Sequence, residues 1–223
     1  MQKIGMLTIG QAPRPDAAPI LERQLAGRAQ LIQAGALDGM NRRQVEDELA
    51  PREGEYTLTS RLSTGEPVVM GREKLQPLLQ EKIDLLERAG IRTILLLCTG
   101  VFPGLQSASA LLLEPDRILP PVVRAMVGER RLGVLVPLEE QKESLRHKYE
   151  AVGLKPVFAA ASPYVQDPEP FRLAAEELRG NADVLLLDCM GYTEEARTLV
   201  SRASDLPVVL SSALMAKLLS ELI

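Results

Sequence analysis

Apolar runs of strand length alternate along this chain with stretches whose apolar residues recur every three or four positions, a pattern that predicts a parallel α/β protein. Ile4–Ile9 reads as a first buried strand. The loop Gly10-Gln11-Ala12-Pro13-Arg14-Pro15-Asp16 leads into a helix over Ala17–Leu25, with Asp16 as the expected N-cap. A strand at Ala29–Gln33 and a turn at Gly35–Gly39, in which Asp38 is a turn residue, come next. A helix over Arg42–Leu49 is capped by Asn41 and stopped by Pro51.

Tyr56–Leu62 alternates polar and apolar residues, and Pro67–Met70 is another short strand. The turn residues Ser63-Thr64-Gly65-Glu66 between them predict a β-hairpin with one wet face. It suits either a cover for a cleft or the arm of a homodimer. Glu73–Ala89 is a helix ended by Gly90, Thr93–Leu97 an all-apolar strand and Ala110–Leu113 a further strand. Arg117–Val127 is a helix begun by Glu114-Pro115-Asp116. The second half repeats the plan. Strands at Leu132–Val136, Pro156–Ala160, Val184–Leu187 and Pro207–Leu210 are interleaved with helices at Glu139–Ala151, Pro170–Arg179, Thr193–Ala203 and Ala213–Leu219.

The expected architecture is two pseudo-symmetric parallel-sheet lobes, Rossmann-like and three-layered (αβα), with a cleft between them. Residues 1–117, with the hairpin 56–70 inserted, form the N-terminal lobe. Residues 118–212 form the other, and the terminal helix 213–223 packs back on the first lobe.

The two cysteines are placed alike. Cys98 ends the run Ile94-Leu95-Leu96-Leu97 and Cys189 follows Val184-Leu185-Leu186-Leu187-Asp188, and each has a glycine two residues later, Gly100 and Gly191. Ligands of open α/β sheets bind at the carboxyl ends of strands. If those edges face each other, paired thiols suit taking a proton from one face of a carbon and returning one to the other. One sulfur must then be thiolate, against a free-cysteine pKa near 8.5. Backbone N–H groups at helix starts after each Cys-X-Gly would favour that form and hold an enolate-like oxygen. The bland alternative is a pair of small buried hydrophobes, and a single disulfide between them is a third reading.

Composition narrows the choices. The 223 residues carry a net charge of −4, with 3 Phe, 4 Tyr, no Trp and no long basic cluster, which argues against a nucleic-acid partner. No apolar run approaches the ~20 residues of a membrane span, and no secretory signal is read, so a cytoplasmic location is expected. With 2 Cys and 1 His a structural zinc site lacks ligands. Gly-X-X-X-X-Gly-Lys and Gly-X-Gly-X-X-Gly are both absent, so nucleotide binding has no support. Arg14, in a strand-end loop, and Arg61, on the hairpin, could fork onto a substrate carboxylate, with Gln11 as a further donor; solvated surface positions are the competing reading. Ser211 and Ser212 read as helix caps, and His147 as a surface residue.

In five stretches the chain resembles the AroM family, whose fold is similar to the aspartate/glutamate racemase superfamily. They are Leu7-Thr8-Ile9-Gly10-Gln11-Ala12-Pro13-Arg14, Gly35-Ala36-Leu37-Asp38-Gly39, Cys98-Thr99-Gly100, Leu113–Pro121 and Leu187-Asp188-Cys189-Met190-Gly191. The resemblance implies cofactor-independent racemase, isomerase or decarboxylase chemistry on a small carboxylate, with Cys98 and Cys189 as the acid and base. It also implies that Thr8 lies where a substrate carboxylate binds, and that Thr99, Gly100, Met190, Gly191 and Tyr192 surround the ligand. Cys-Thr-Gly stands where the racemases have Cys-Asn-Thr, and Cys-Met-Gly-Tyr where they have Cys-Thr-His. The alternative is a non-catalytic protein, metabolite-binding or regulatory, linked to aromatic amino-acid metabolism as the family name suggests.

Overall fold

The computed structural model describes residues 1–223. The first half runs β1 (Gln2–Thr8), α1 (Ala18–Leu25), β2 (Ala29–Gly35), α2 (Arg42–Leu49), β3 (Thr57–Arg61), β4 (Pro67–Gly71), α3 (Arg72–Arg88), β5 (Thr93–Leu97), β6 (Leu111–Leu113) and α4 (Pro115–Val127). The second half runs β7 (Leu132–Val136), α5 (Gln141–Glu150), β8 (Val157–Ala160), α6 (Glu169–Arg179), β9 (Val184–Leu187), α7 (Glu194–Ser204), β10 (Val208–Leu210) and α8 (Ser211–Ser220).

Two four-stranded sheets, β2-β1-β5-β6 and β10-β9-β7-β8, are parallel throughout, and β3 and β4 form a separate antiparallel hairpin. Strand order turns back between β1 and β5 in one sheet and between β7 and β9 in the other. Those are the points where the helices on either side leave a crevice at the carboxyl edge. The boundary expected at 117/118 falls inside α4.

Strand alternation explains how the sheets are buried. Ile4 and Met6 of β1 face a core that also contains Leu135, Leu185 and Leu187 of the second sheet, so the two sheets share one apolar interior. Leu7 and Ile9 face the opposite core, under α2, α3 and the hairpin. The terminal helix α8 packs on α1 and α4, contributing Met215, Ala216 and Leu219 to the shared core. No helix is long and apolar enough to cross a membrane.

Three local expectations are corrected. Asp16 does not cap α1, whose N-cap position is Ala17 with no side-chain bond; its carboxylate is engaged by Arg14 instead. Ser211 and Ser212 are not caps either. Both are buried, and their hydroxyls donate to the carbonyls of Leu187 (2.7 Å) and Tyr192 (3.2 Å), tying α8 to the Cys189 loop. The hairpin has no wet face on β3: Leu58, Thr59 and Ser60 are all buried, because the strand lies over the carboxyl edge of the first sheet and its second face is covered as well.

Candidate active site

The carboxyl edges of both sheets meet. A cavity of about 20 Å³ between them is lined by the residues that follow β1 (Ile9), β5 (Cys98, Thr99, Gly100), β7 (Pro137) and β9 (Asp188, Cys189), roofed by Tyr56, Leu58 and Thr59, with Gln141 and Leu145 of α5 at one side. That volume is about one water molecule, so a small acid fits only after covering groups move aside. Outside the cavity a groove of about 940 Å³ runs between the hairpin and α5, and Tyr56 lines both spaces.

Both cysteines are free. Cys98 is 7% exposed and Cys189 is partly exposed. Each sulfur accepts the N–H of the glycine two residues on, Gly100 at 3.3 Å and Gly191 at 3.4 Å. The cause of the glycines is close approach rather than unusual torsion. A Cβ on Gly100 would sit 2.6 Å from Leu58, and one on Gly191 would sit 2.5 Å from the Tyr164 hydroxyl. Burial pushes the Cys98 thiol up to about 12; the Gly100 N–H and the charge of Lys148 oppose it. Burial also raises the Cys189 thiol, against the Gly191 N–H, Tyr164 and Arg14. Only α7 begins soon after a Cys-X-Gly; Cys98 is followed by a long loop to β6, so no helix start supports it.

The lobes are stitched beside the thiols. The Thr99 hydroxyl donates to the Asp188 carbonyl at 3.0 Å, Lys148 Nζ donates to the Thr99 carbonyl at 2.9 Å, and Gln141 Nε2 donates to the Thr57 carbonyl at 3.1 Å. Lys148 also pairs with Asp188 at 2.6 Å, both side chains almost wholly buried. Asp188 lines the cavity beside Cys189 because β9 ends at Leu187 and its alternation stops there.

A second polar cluster lies at the end of β1. Arg14 is 2% exposed, not a surface residue. Its guanidinium forks onto Asp16 (Nε–Oδ1 2.9 Å, Nη2–Oδ2 2.6 Å) and Nη1 donates to the hydroxyls of Thr8 (2.8 Å) and Ser60 (3.4 Å). Arg61 stands 3.9 Å from the same carboxylate. Burial alone would raise the Asp16 carboxyl, but the Arg14 fork and Arg61 bring it below its ordinary value. The fork that the sequence suggested for a ligand is thus filled by the protein's own carboxylate.

Other expected contacts are placed elsewhere. Gln11 is consumed by the fold, donating to the Leu37 and Met40 carbonyls and accepting from Ser63 N–H. Met190 and Tyr192 are 1% exposed and belong to the shared core, where the Tyr192 hydroxyl donates to the Ala161 carbonyl at 2.8 Å. His147 is exposed, as read. Lys148, Tyr56 and Tyr164 were not singled out from sequence, and Asp16 only as a helix cap. Lys148 had little signal, because Lys142 borders the buried stripe Gln141, Leu145, Tyr149 of α5 just as it does. No group of three or more His, Cys, Asp or Glu is placed to hold a metal ion.

Two parallel-sheet lobes meeting at their carboxyl edges give the chain the fold of the aspartate and glutamate racemases. Among solved structures the chain is similar to allantoin racemase from Klebsiella pneumoniae (12% identity, TM-score 0.64, 100% of this chain and 87% of that one). It is also similar to Picrophilus torridus aspartate racemase (13%, 0.62, 99% and 95%) and to unliganded arylmalonate decarboxylase (16%, 0.59, 100% and 91%). Residues 4–223 match the family described as AroM protein, and the chain belongs to that family. No curated protein matches the sequence.

Proposed function

We propose that the protein catalyses cofactor-independent proton transfer on a small carboxylate, as a racemase, isomerase or decarboxylase, with Cys98 and Cys189 as acid and base. The observation that carries this is the meeting of the chain's only two thiols at one cavity between the sheets, each already taking an N–H from its own loop. The likeness of fold to racemases and a decarboxylase supports it. In the racemase form one thiolate takes the proton from the carbon beside the carboxylate. The opposite thiol then returns its own proton, leaving the two sulfurs with exchanged roles and the net charge unchanged. General acid–base catalysis supplies ~10²–10⁴-fold, so the backbone N–H groups around the developing enolate must contribute more.

The ligand reaches this space when the lobes 1–117 and 118–212 part or the roof at Tyr56 moves, since the resting cavity holds no more than a water. A second reading, a metabolite-binding or regulatory protein, is favoured by two thiols that burial holds toward the protonated form.

Incubation in D₂O with a panel of small acids, read by NMR, tests the choice. Catalysis predicts deuterium at the carbon next to the carboxylate of at least one acid, lost in both Cys98→Ser and Cys189→Ser. Acids that raise Tm in wild type and both variants alike, with no deuterium entering any of them, would establish the binding reading instead.

A further inference from the structure

We propose that Lys148 is the positioning residue of this site: it fixes both cysteine loops at once and supplies the positive charge against which a Cys98 thiolate forms. The inference rests on the reading of Cys98 as a working thiol.

The geometry is specific to the two loops. From α5, Lys148 Nζ donates to the carbonyl of Thr99, the residue after Cys98, at 2.9 Å. It pairs at 2.6 Å with the carboxylate of Asp188, the residue before Cys189. The Lys148 side chain is 5% exposed and that of Asp188 is fully buried. A buried ion pair is a poor stabilising device, because desolvating two charges consumes most of their attraction and apolar residues of the same volume do as well or better. A lysine beside the apolar stripe of α5, reaching between two cysteine loops from opposite sheets, therefore calls for a reason other than stability.

Charge supplies one. The titratable groups around Cys98 are Lys148 and Asp116, Cys189 and Asp188 across the cavity and Tyr56 above. Asp116 Oδ1 is buried without a partner, and burial raises that carboxyl while Lys148 opposes the rise. Lys148 is the one cation in the set. Cys189 has a different cation, Arg14, already forked onto Asp16. Each thiol thus has its own cation, while Asp188, the partner of Lys148, raises Cys189, so the Lys148 pair reaches both loops.

The test is the pH profile of iodoacetamide alkylation at each cysteine, resolved by peptide mass spectrometry, which needs no known substrate. Lys148→Met is expected to slow Cys98 about tenfold or more at fixed pH and move its profile upward, because an opposite charge nearby shifts a pKa by about 1–3 units. Lys148→Arg should restore it. Asp188→Asn leaves the lysine charge without its neutralising partner and should speed Cys98, and also Cys189, whose thiol the neighbouring Asp188 charge raises. A merely structural pair predicts that Lys148→Met loosens the loops and speeds both cysteines together. That result, or a Cys98 profile unmoved in a folded Lys148→Met protein, would overturn the assignment. A profile that moves as expected with no deuterium exchange would instead refute catalysis and leave Lys148 in place.

Discussion

The Thr99 hydroxyl donates to the backbone carbonyl of Asp188 at 3.0 Å, joining the residue after one cysteine to the residue before the other. This is a direct bond between the two sheets at the level of the thiols. Any parting of the lobes to admit a ligand has to break it, together with the Lys148–Thr99 and Gln141–Thr57 bonds.

Thr99→Val keeps the shape and removes the donor, leaving a buried carbonyl without this partner. Urea denaturation should show a loss of about 1–3 kcal/mol. The weaker brace should also speed alkylation of both cysteines at fixed pH. Unchanged stability and unchanged thiol rates would mean that the bond does not hold the lobes.

Alkaline pH should unfold this protein early. Burial holds both thiols and all four tyrosines above their ordinary values. The folded state therefore keeps protons that the unfolded chain releases, at about pH 8.5 for Cys and about 10 for Tyr. With fewer protons on the unfolded state, the slope of stability against pH is negative, about −1.4 kcal/mol per pH unit for each group in its window. Denaturant midpoints should fall steeply between about pH 9 and 11. A flat profile over that range would show the side chains to be better solvated than the structure has them.

How much of this could be read from the chain depends on whether the cause is local. The strand-end positions of Cys98 and Cys189 were legible because an apolar run ending in Cys-X-Gly is a local signal, and the parallel lobes because strand and helix periods alternate. The burial of Arg14 was not. Its charge is met by Asp16 two residues on, but the hydroxyl that completes its surroundings is on Ser60, in a hairpin far along the sequence. The same hairpin keeps its wet face on β4, at Pro67 and Val69, but on β3 that face is covered by a tertiary neighbour. Ser211 and Ser212 carry cap chemistry, yet their acceptors are carbonyls of the Cys189 region that no local rule brings near.

Arg14→Met should strip Asp16 of its fork and leave a half-buried carboxylate facing only Arg61 at 3.9 Å. Breaking such a pair from one side costs about 3–5 kcal/mol, read as a lower urea midpoint with an unchanged m-value. Arg14→Lys should recover only part, because a point charge cannot reproduce the two parallel bonds. A loss below 0.5 kcal/mol, roughly that of an ordinary surface substitution, would return Arg14 to the role of a free carboxylate receptor.

Gly191→Ala tests how tightly Tyr164 is pressed onto the Cys189 loop. The added Cβ would stand 2.5 Å from the Tyr164 hydroxyl and 2.8 Å from its Cζ, so the ring has to shift. Overpacking of this kind costs about 1–3 kcal/mol. Tyr164→Ala removes the obstacle, and in that background the glycine substitution should cost far less, a coupling of about 0.5–3 kcal/mol in a double-mutant cycle. The same ring holds its hydroxyl 3.9 Å from Cys189 Sγ, so displacing it should raise the alkylation rate of Cys189 while Cys98, on the other sheet, keeps its rate. Equal acceleration of both thiols would mean that the substitution opens the lobes as a whole, and that Tyr164 shields neither sulfur in particular.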